Sequence, residues 1–545
     1  MTGLVQAFGS GAMTNSIADI TQARAMLAIG TNTTENHPVL SLQIKKAVMQ
    51  HGAQLVVADP RQIELASFAT LYLQHEAGTD IALLNGLAHI ILQEKLHDTT
   101  FIEQRTENFE AWRAVVETYT PDRVSAITGV PVEDLVRAAR IYGSNKPAAI
   151  FYAMGITQHT VGHQNVLAVA NLAMLTGNLG VAGGGVNPLR GQNNVQGACD
   201  MGALPNVYPG YQGVTDEAVR QKFAQYHGVE QPPAQAGLTV TEMLQAAYDG
   251  KVRALYFMGE NPAMSDPDSN HVRECLERAE FLVKQDIFLT ETGEFADVVL
   301  PAAAFAEKEG TFTNTERRVQ LVRKALEPPG EARPDWQIIA EIARRMGASG
   351  WDYASPAEIM AEAAEVTPIY GGIRFDRLEN GGLQWPCPTP DHPGTPILHV
   401  GRFSRGRGLF SPVHHQPAAE LPDDEYPLML TTGRLLQHWH TGTMTRRVEG
   451  LNFLAPEERV EINTQDAARL GIADGDWIRV SSRRGSVTAR ARVFDRPRPG
   501  LVFMTFHFAE ALGNVLTNNV VDPVAKIPEY KVCAVKVEKA APPDA

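Results

Sequence analysis

Short apolar segments alternate with amphipathic ones from Ala23 to about Arg190, and this alternation constrains the fold more than any other feature of the chain. Strands and helices that follow one another in this way form a parallel sheet with helices on both faces. The predicted strands are Ala25–Ile29, Gln54–Ala58, Thr70–Leu73 and Ala148–Met154. The predicted helices are Leu40–Gln50, Asp80–Gln93, Val132–Tyr142 and Gln164–Leu175.

Short polar segments follow several of these elements. They are Gly30-Thr31-Asn32, Asp59-Pro60-Arg61, Gly78-Thr79-Asp80 and Gly155-Ile156-Thr157-Gln158. Ligands of open parallel sheets bind beyond the carboxyl ends of the strands, so these segments predict an extended ligand at that edge. Each segment alone is also explained by ordinary turn chemistry, because Gly, Asn and Asp commonly end strands.

Two further regions complete the predicted fold class, which is a multidomain α/β protein. Apolar runs at Arg253–Met258, Glu280–Lys284 and Asp297–Leu300, with a helix at Asp335–Met346, predict a second α/β domain of the parallel-sheet type. Closely spaced short strands after Tyr426 predict a closed β-barrel. The predicted domains span residues 1–190, 191–330 (partial) and 422–545, with a Pro- and Gly-rich connection over residues 331–421.

The charge and the cysteines limit the possible partners. A net charge of −14 over 545 residues argues against nucleic acid or direct insertion into an anionic membrane. The four cysteines lie far apart and form no C-x-x-C pair, so neither a zinc site nor an iron–sulfur site is predicted. The N-terminus lacks the apolar core of a signal peptide, and a cytoplasmic location is predicted.

The segment from Gly185 to Asp200 contains one cation, Arg190, among glycines and amides. A guanidinium offers a planar set of donors that matches a carboxylate, and glycine lets the backbone approach a ligand closely. The segment therefore suits a small-anion pocket that contains Arg190 and Gln192. A structural loop whose arginine pairs with a distant carboxylate explains the composition equally well.

Two other motifs have weaker functional interpretations. The charged run Glu307–Arg318 could hold phosphates through Arg317 and Arg318, although charge alone favours a solvated face. His438 and His440 form a His-x-His pair, but two ligands are too few for a metal site, so hydrogen bonding to a ligand or core packing is favoured.

Together these segments resemble the molybdopterin oxidoreductases of the DMSO-reductase superfamily, and the stretch from Arg190 to Gly202 resembles the formate dehydrogenase branch. The resemblance runs from about Gly3 to about Glu538. It implies a bis-molybdopterin guanine dinucleotide cofactor with molybdenum or tungsten, and a six-stranded barrel that closes over it. It also implies that Arg190 holds the formate carboxylate beside the metal, with Gln192 as a neighbouring contact.

The resemblance further implies three groups of cofactor-binding residues. One dinucleotide would contact Asn32, Glu35, Asp59, Arg61, Gly78, Asp80 and Gln158. The other would contact Gly259, Glu260, Asn261, Gln285 and Asp286. The barrel would contribute Arg434, His438, Thr441, Asn518, Tyr530 and Lys531.

The chain departs from the family at its beginning. In the family a cysteine or selenocysteine binds the metal just before the segment that matches Gly3, and an iron–sulfur domain lies upstream. We therefore expect a C-terminal portion of a catalytic subunit, with no metal ligand of its own, inactive without the N-terminal portion. An iron–sulfur or flavin subunit is the expected electron partner. The alternatives are an inactive scaffold, like the large subunit of NADH dehydrogenase, and a nitrate reductase-type enzyme.

Overall fold

The computed structural model describes residues 1–543, which form two compact units. Unit 1 comprises Met1–Gly191, Met264–Asn270 and the chain from Ile397 onward, and unit 2 comprises Gln192–Ala263 and His271–Pro396. Two α/β regions and a closed six-stranded barrel are present, as the sequence predicts. The division into four domains stays a prediction. No helix within residues 1–543 is long and apolar enough to cross a bilayer.

The first part of unit 1 contains a five-stranded parallel sheet. Its strands are β1 (Ala25–Ile29), β2 (Gln54–Ala58), β3 (Leu71–Leu73), β5 (Ala148–Tyr152) and β6 (Val186–Pro188), and a short β4 (Thr106–Glu107) lies outside it. The strand order is β3-β2-β1-β5-β6. The chain leaves β1 toward β2 on one side and later returns as β5 on the other. The carboxyl ends of β1 and β5 are therefore the topological switch point, where ligands of such sheets bind.

Helices cover both faces of this sheet, because every residue of β1 is apolar and buried. Leu27 and Ile29 pack into one core with the most apolar helices, whereas Met26 and Ala28 pack on the other side with Leu40. The helices are α1 (Thr2–Phe8), α2 (Thr33–Asn36), α3 (Pro38–His51), α4 (Asp80–Gln93), α5 (Thr99–Arg105), α6 (Phe109–Val116), α7 (Pro121–Thr128), α8 (Val132–Ser144), α9 (Met154–Thr157) and α10 (Gly162–Leu175).

Unit 2 contains a three-stranded parallel sheet of order β11-β10-β9. Leu255 and Leu282 pack on one face against helical residues such as Leu244, whereas Tyr256 and Met258 are exposed. The strands of this region are β7 (Val207–Tyr208), β8 (Gln212–Gly213), β9 (Ala254–Met258), β10 (Phe281–Asp286) and β11 (Val298–Pro301). The helices are α11 (Val195–Asp200), α12 (Glu217–His227), α13 (Val240–Tyr248), α14 (Pro262–Ser265) and α15 (Ser269–Arg278).

The charged run Glu307–Arg318 is not the solvated loop that its charge favours. Part of it forms β12 (Gly310–Thr313), which pairs with β13 (Arg318–Val322), and β14 (Leu383–Gln384) extends the sheet. Arg317 is fully buried. Its guanidinium donates to the carbonyls of Trp385, Thr395 and Pro396, so it is committed to backbone and not to a phosphate.

The predicted connection, residues 331–421, has secondary structure of its own. It contains α16 (Asp335–Arg345), α17 (Pro356–Val366), β14 and β15 (Gly408–Leu409), and β15 pairs with β4. The sequence analysis does not predict α17, because it lies in a region predicted as a Pro- and Gly-rich connection.

The C-terminal part of unit 1 is a closed barrel of order β16-β20-β17-β19-β18-β21. Its strands are β16 (Leu428–Gly433), β17 (Arg459–Ile462), β18 (Trp477–Ser481), β19 (Ser486–Val493), β20 (Leu501–Thr505) and β21 (Cys533–Lys539), with helices α18 (Glu449–Leu454) and α19 (Thr464–Leu470). Alternate residues such as Leu428 and Leu430 fill the interior. The last strand begins at Cys533.

A buried ion-pair network lies within unit 1. Arg61 donates from Nε and Nη2 to the two carboxylate oxygens of Glu461, at 2.7 and 3.0 Å. Arg61 Nη1 lies 3.7 Å from Glu35, and Arg496 lies 3.5 Å from the same carboxylate. Buried arginine and glutamate cost desolvation energy, so the pair holds only because each charge has its partner.

Replacing Glu461 with alanine leaves the Arg61 guanidinium buried without its bidentate partner. We expect Glu461→Ala to lower the free energy of unfolding by about 3–5 kcal/mol, as measured by urea titration. Glu117→Ala removes an exposed partner of Arg113 and is the control, with an expected change below about 1 kcal/mol. Equal changes in the two variants would contradict this account.

Candidate functional site

The loops after β1 and β5 touch at the switch point. Gly155 N donates to Gly30 O at 3.0 Å. A Cβ atom added at Gly155 would lie 2.6 Å from Gly30 Cα, and one added at Gly30 would lie 2.8 Å from the Gly155 carbonyl carbon. Neither position has room for a side chain. The two glycines therefore bring the polar segments that follow β1 and β5 together at one edge of the sheet.

Arg190 lies two residues beyond β6 at the same sheet. Leu189 N donates to Tyr152 O, the last residue of β5, at 2.8 Å. The His37 ring donates from Nε2 to Arg190 O at 2.7 Å. The guanidinium is half-buried, and its Nη2 donates to Gly11 O at 3.4 Å. Arg190 is therefore attached to the sheet edge, and its side chain is partly accessible to solvent.

Two more cations of unit 1 lie in the same region, and Arg190, Arg434 and Lys531 are called the cationic cluster below. Arg434 donates to Gly191 O at 3.4 Å, and Lys531 donates to Thr432 O at 2.6 Å. Burial lowers the pKa of Arg434 to about 10. Burial and the charge of Arg434 lower the pKa of Lys531 to about 8, and Asp59 opposes that shift. The cluster carries positive charge that a bound anion would stabilise.

Several buried polar atoms in this region have no hydrogen-bond partner among residues 1–543. They are Thr31 Oγ1, Asn32 Oδ1, His37 Nδ1, Tyr152 Oη and Asn187 Oδ1. Buried polar groups in native proteins are nearly always paired, so a group of unpaired ones indicates a polar ligand. Donors, acceptors and cations at one sheet edge fit a phosphate-bearing, heteroatom-rich cofactor.

The first group of predicted cofactor residues lies at this edge. Some of its members are already bonded to other side chains of the protein. Arg61 and Glu35 belong to the buried ion-pair network, and Asn32 donates to Glu35 at 2.7 Å. Asp80 Oδ1 lies 3.3 Å from His75 Nε2. The remaining members, Asp59, Gly78 and Gln158, lie in the loops after β2, before α4 and after α9.

The second group of predicted cofactor residues lies in unit 2. Some of these residues are exposed to solvent and others are buried. Gly259 and Glu260 are exposed. Asn261 is buried, and its amide bonds with Thr292 and Glu291. The Gln285 side chain bonds with Tyr256 and Asp335, and Asp286 forms an ion pair with Lys284 at 2.7 Å.

The barrel residues other than Arg434 and Lys531 make mostly structural contacts. His438 Nε2 contacts Ala455 O at 2.6 Å and His438 Nδ1 contacts Thr445 Oγ1 at 3.2 Å, so both ring nitrogens have protein partners. Thr441 contacts Thr443, Asn518 donates to Val532 O, and Tyr530 donates to Ser265 O. No group of three or more His, Cys, Asp or Glu that could hold a metal occurs in the described part of the chain.

The amide-rich stretch after Arg190 continues in unit 2. Gln192 is exposed, whereas Asn194 accepts a bond from Thr313 N at 2.8 Å. Gln196 donates to the buried carboxylate of Asp200 at 2.8 Å, and Tyr370 donates to the same carboxylate at 2.6 Å. Asn194 and Gln196 therefore hold helix α11 in place.

Sequence reasoning missed His37 and Tyr152. Tyr152 lies in a buried apolar strand, and this pattern predicts that it packs in the core. His37 follows Asn32 by five residues, and a histidine immediately before a proline that starts a helix is the signal that could have drawn attention to it.

Comparison with known proteins agrees with this arrangement. The family model "Molybdopterin oxidoreductase" matches residues 5–345, and "Molydopterin dinucleotide binding domain" matches residues 428–534. The chain is 51% identical to the F420-dependent formate dehydrogenase subunit alpha of Methanocaldococcus jannaschii, over 99% of this chain and 80% of that protein. It is 43% identical to formate dehydrogenase H of Escherichia coli, over 99% of this chain and 76% of that protein.

A solved structure shows the same fold. Acetylene hydratase from Pelobacter acetylenicus superimposes with a TM-score of 0.78 at 21% identity, over 99% of this chain and 80% of that chain. The chain therefore belongs to the molybdopterin oxidoreductase family and groups within it with the formate dehydrogenase alpha subunits.

Proposed function

We propose that this chain is the catalytic subunit, or the C-terminal portion of one, of a formate dehydrogenase that oxidises formate to CO2. The observation that carries the proposal is Arg190, whose backbone is fixed on both sides at the switch-point edge of the sheet. Its half-buried guanidinium lies beside glycines and has Arg434 near it. Relatives named as formate dehydrogenases support the same substrate.

The reaction chemistry suits a fixed cation. Formate carries a negative charge and two acceptor oxygens, which a guanidinium can bind with two parallel hydrogen bonds. The product CO2 is neutral, so its attraction to Arg190 is much weaker than that of formate. Arg190 therefore binds the substrate in preference to the product, and Gln192 is the proposed neighbouring contact. Electrons are proposed to pass to an iron–sulfur or flavin partner subunit.

The proposed cofactor is bis-molybdopterin guanine dinucleotide with molybdenum or tungsten. When bound, the metal–pterin group supplies the two-electron acceptor. Arg434 and Lys531 are proposed to neutralise its phosphates, and the unpaired atoms of Thr31 and Asn32 to bond its polar groups. The loop residues carried over from the family are proposed to complete the two binding sites. We also propose a cytoplasmic location, because none of the four cysteines in the described part of the chain forms a disulfide, as expected in a reducing compartment.

Arg190→Ala should remove a charged hydrogen-bond pair to the substrate. We expect kcat/KM for formate to fall about 10- to 150-fold in the holoenzyme, which corresponds to roughly 1.5–3 kcal/mol. Steady-state formate oxidation with a dye acceptor measures it. Arg140→Ala removes an exposed guanidinium paired with Glu94 and should leave turnover unchanged. Unchanged turnover in Arg190→Ala would refute the assignment.

Cofactor content gives a second prediction. We expect the holoprotein to contain molybdenum or tungsten and to release two guanine nucleotides per metal on acid hydrolysis, as measured by elemental analysis and chromatography. Arg434→Ala should lower the occupancy, because it removes a cation from the cluster. If the protein co-expressed with its upstream portion contains neither metal nor guanine nucleotide, the inactive scaffold is favoured.

A further inference from the structure

His37 occupies a position that ordinary helix chemistry does not explain. It is the residue before α3, where the side chain usually accepts a hydrogen bond from the first turn, and Ser, Thr, Asp and Asn are preferred. The His37 side chain makes no such bond. Its ring reaches the carbonyl of Arg190, 153 positions further along the chain, at 2.7 Å.

The protonation of the ring follows from its surroundings. Because a carbonyl oxygen only accepts, Nε2 must carry the proton in this bond. Burial lowers the pKa of His37, and the charge of Arg434 lowers it further against the effect of the carbonyl. The ring is therefore neutral near pH 7, with its proton on Nε2 and a lone pair on Nδ1.

The backbone on each side of the Arg190 Cα atom is hydrogen-bonded to the sheet region. Leu189 N donates to Tyr152 O, and the His37 ring donates to Arg190 O at 2.7 Å. The next peptide carbonyl, of Gly191, accepts a longer bond from Arg434 at 3.4 Å. Of these two bonds on the C-terminal side of Arg190, the one from His37 is the shorter.

We infer that His37 is a positioning residue, whose neutral imidazole fixes the backbone of Arg190 and so directs its guanidinium toward the formate carboxylate. This inference rests on the proposed function, since it treats Arg190 as the substrate-binding group. His37 touches neither formate nor the reacting atoms in this account. Its Nε2 acts through the Arg190 carbonyl, and its Nδ1 is one of the unpaired atoms at the same sheet edge.

Two substitutions distinguish the hydrogen bond of His37 to Arg190 O from the effect of residue 37 on the start of α3. In His37→Gln the amide nitrogen can occupy the place of Nε2 and donate to Arg190 O. In His37→Asn the amide occupies the place of Nδ1 and cannot replace that donor, yet asparagine is a better residue than histidine before a helix. The asparagine variant should therefore keep α3 while it loses the bond.

We expect His37→Asn in the holoenzyme to raise the KM for formate about tenfold with kcat within about threefold, because the bond orients a group that binds formate before and during the reaction. His37→Gln should stay within about twofold of the wild type in both constants. Metal content and thermal midpoint should be equal in the two variants. Equal KM values in the two variants, or a loss confined to kcat, would overturn the inference.

A double-mutant cycle with Arg190→Ala gives a test that does not depend on small KM differences. If His37 acts through Arg190, adding His37→Asn to Arg190→Ala should change kcat/KM by less than about twofold. A further tenfold loss would overturn the inference and leave the proposed function intact. If Arg190→Ala alone has no effect, the proposed function fails and the inference fails with it. Should His37→Asn not fold, a raised KM in His37→Gln overturns the inference.

Discussion

The constraint on which the site depends is the concentration of positive charge at one edge of a sheet in an acidic protein. Arg190, Arg434 and Lys531 lie near the carboxyl ends of parallel strands, and burial lowers the pKa of Arg434 and Lys531. Such an arrangement is unfavourable for the protein alone and becomes favourable when anions bind. A carboxylate substrate and a cofactor with phosphates are the two kinds of anion that this edge suits.

The backbone makes that arrangement possible. The strand order brings β1 and β5 together in the middle of the sheet, and the contact between Gly30 and Gly155 lets the loops that follow them approach closely. The ion pair of Arg61 with Glu461 ties the loop after β2 to the barrel strand β17 within unit 1. The loops that bear Asn32, Asp59 and Arg190 are thereby attached to a rigid frame, which is what precise binding requires.

Much of the fold can be predicted from the sequence because apolar runs bounded by turn residues specify buried strands. The bounds of β1 and β2 agree residue for residue with the predicted ones. The hairpin β12–β13 was not predictable in this way, because charged residues lie before and between its two strands. Its sheet also includes β14, which lies far along the chain. Arg317 shows the same limit: its burial depends on carbonyls about 70 residues away.

The site could be predicted less completely than the fold. The switch-point loops and Arg190 follow from strand order and local composition, so the sequence indicates where a ligand binds. Which side chains remain available depends on pairing that only three-dimensional structure reveals. Asn261 follows β9 and Gln285 lies near the carboxyl end of β10, yet both side chains are occupied by internal hydrogen bonds. The only sequence signal at His37 is the proline that follows it, and the relation of His37 to Arg190 is seen only in their hydrogen bond.

The central claim is that the guanidinium of residue 190 binds the one-carbon substrate. An experimental structure of the cofactor-loaded protein with formate, or an unreactive oxyanion of its size, tests this most directly. The account predicts carboxylate oxygens within about 2.7–3.2 Å of the Arg190 nitrogens. A carboxylate bound elsewhere, with Arg190 turned to a cofactor phosphate or to solvent, would contradict it.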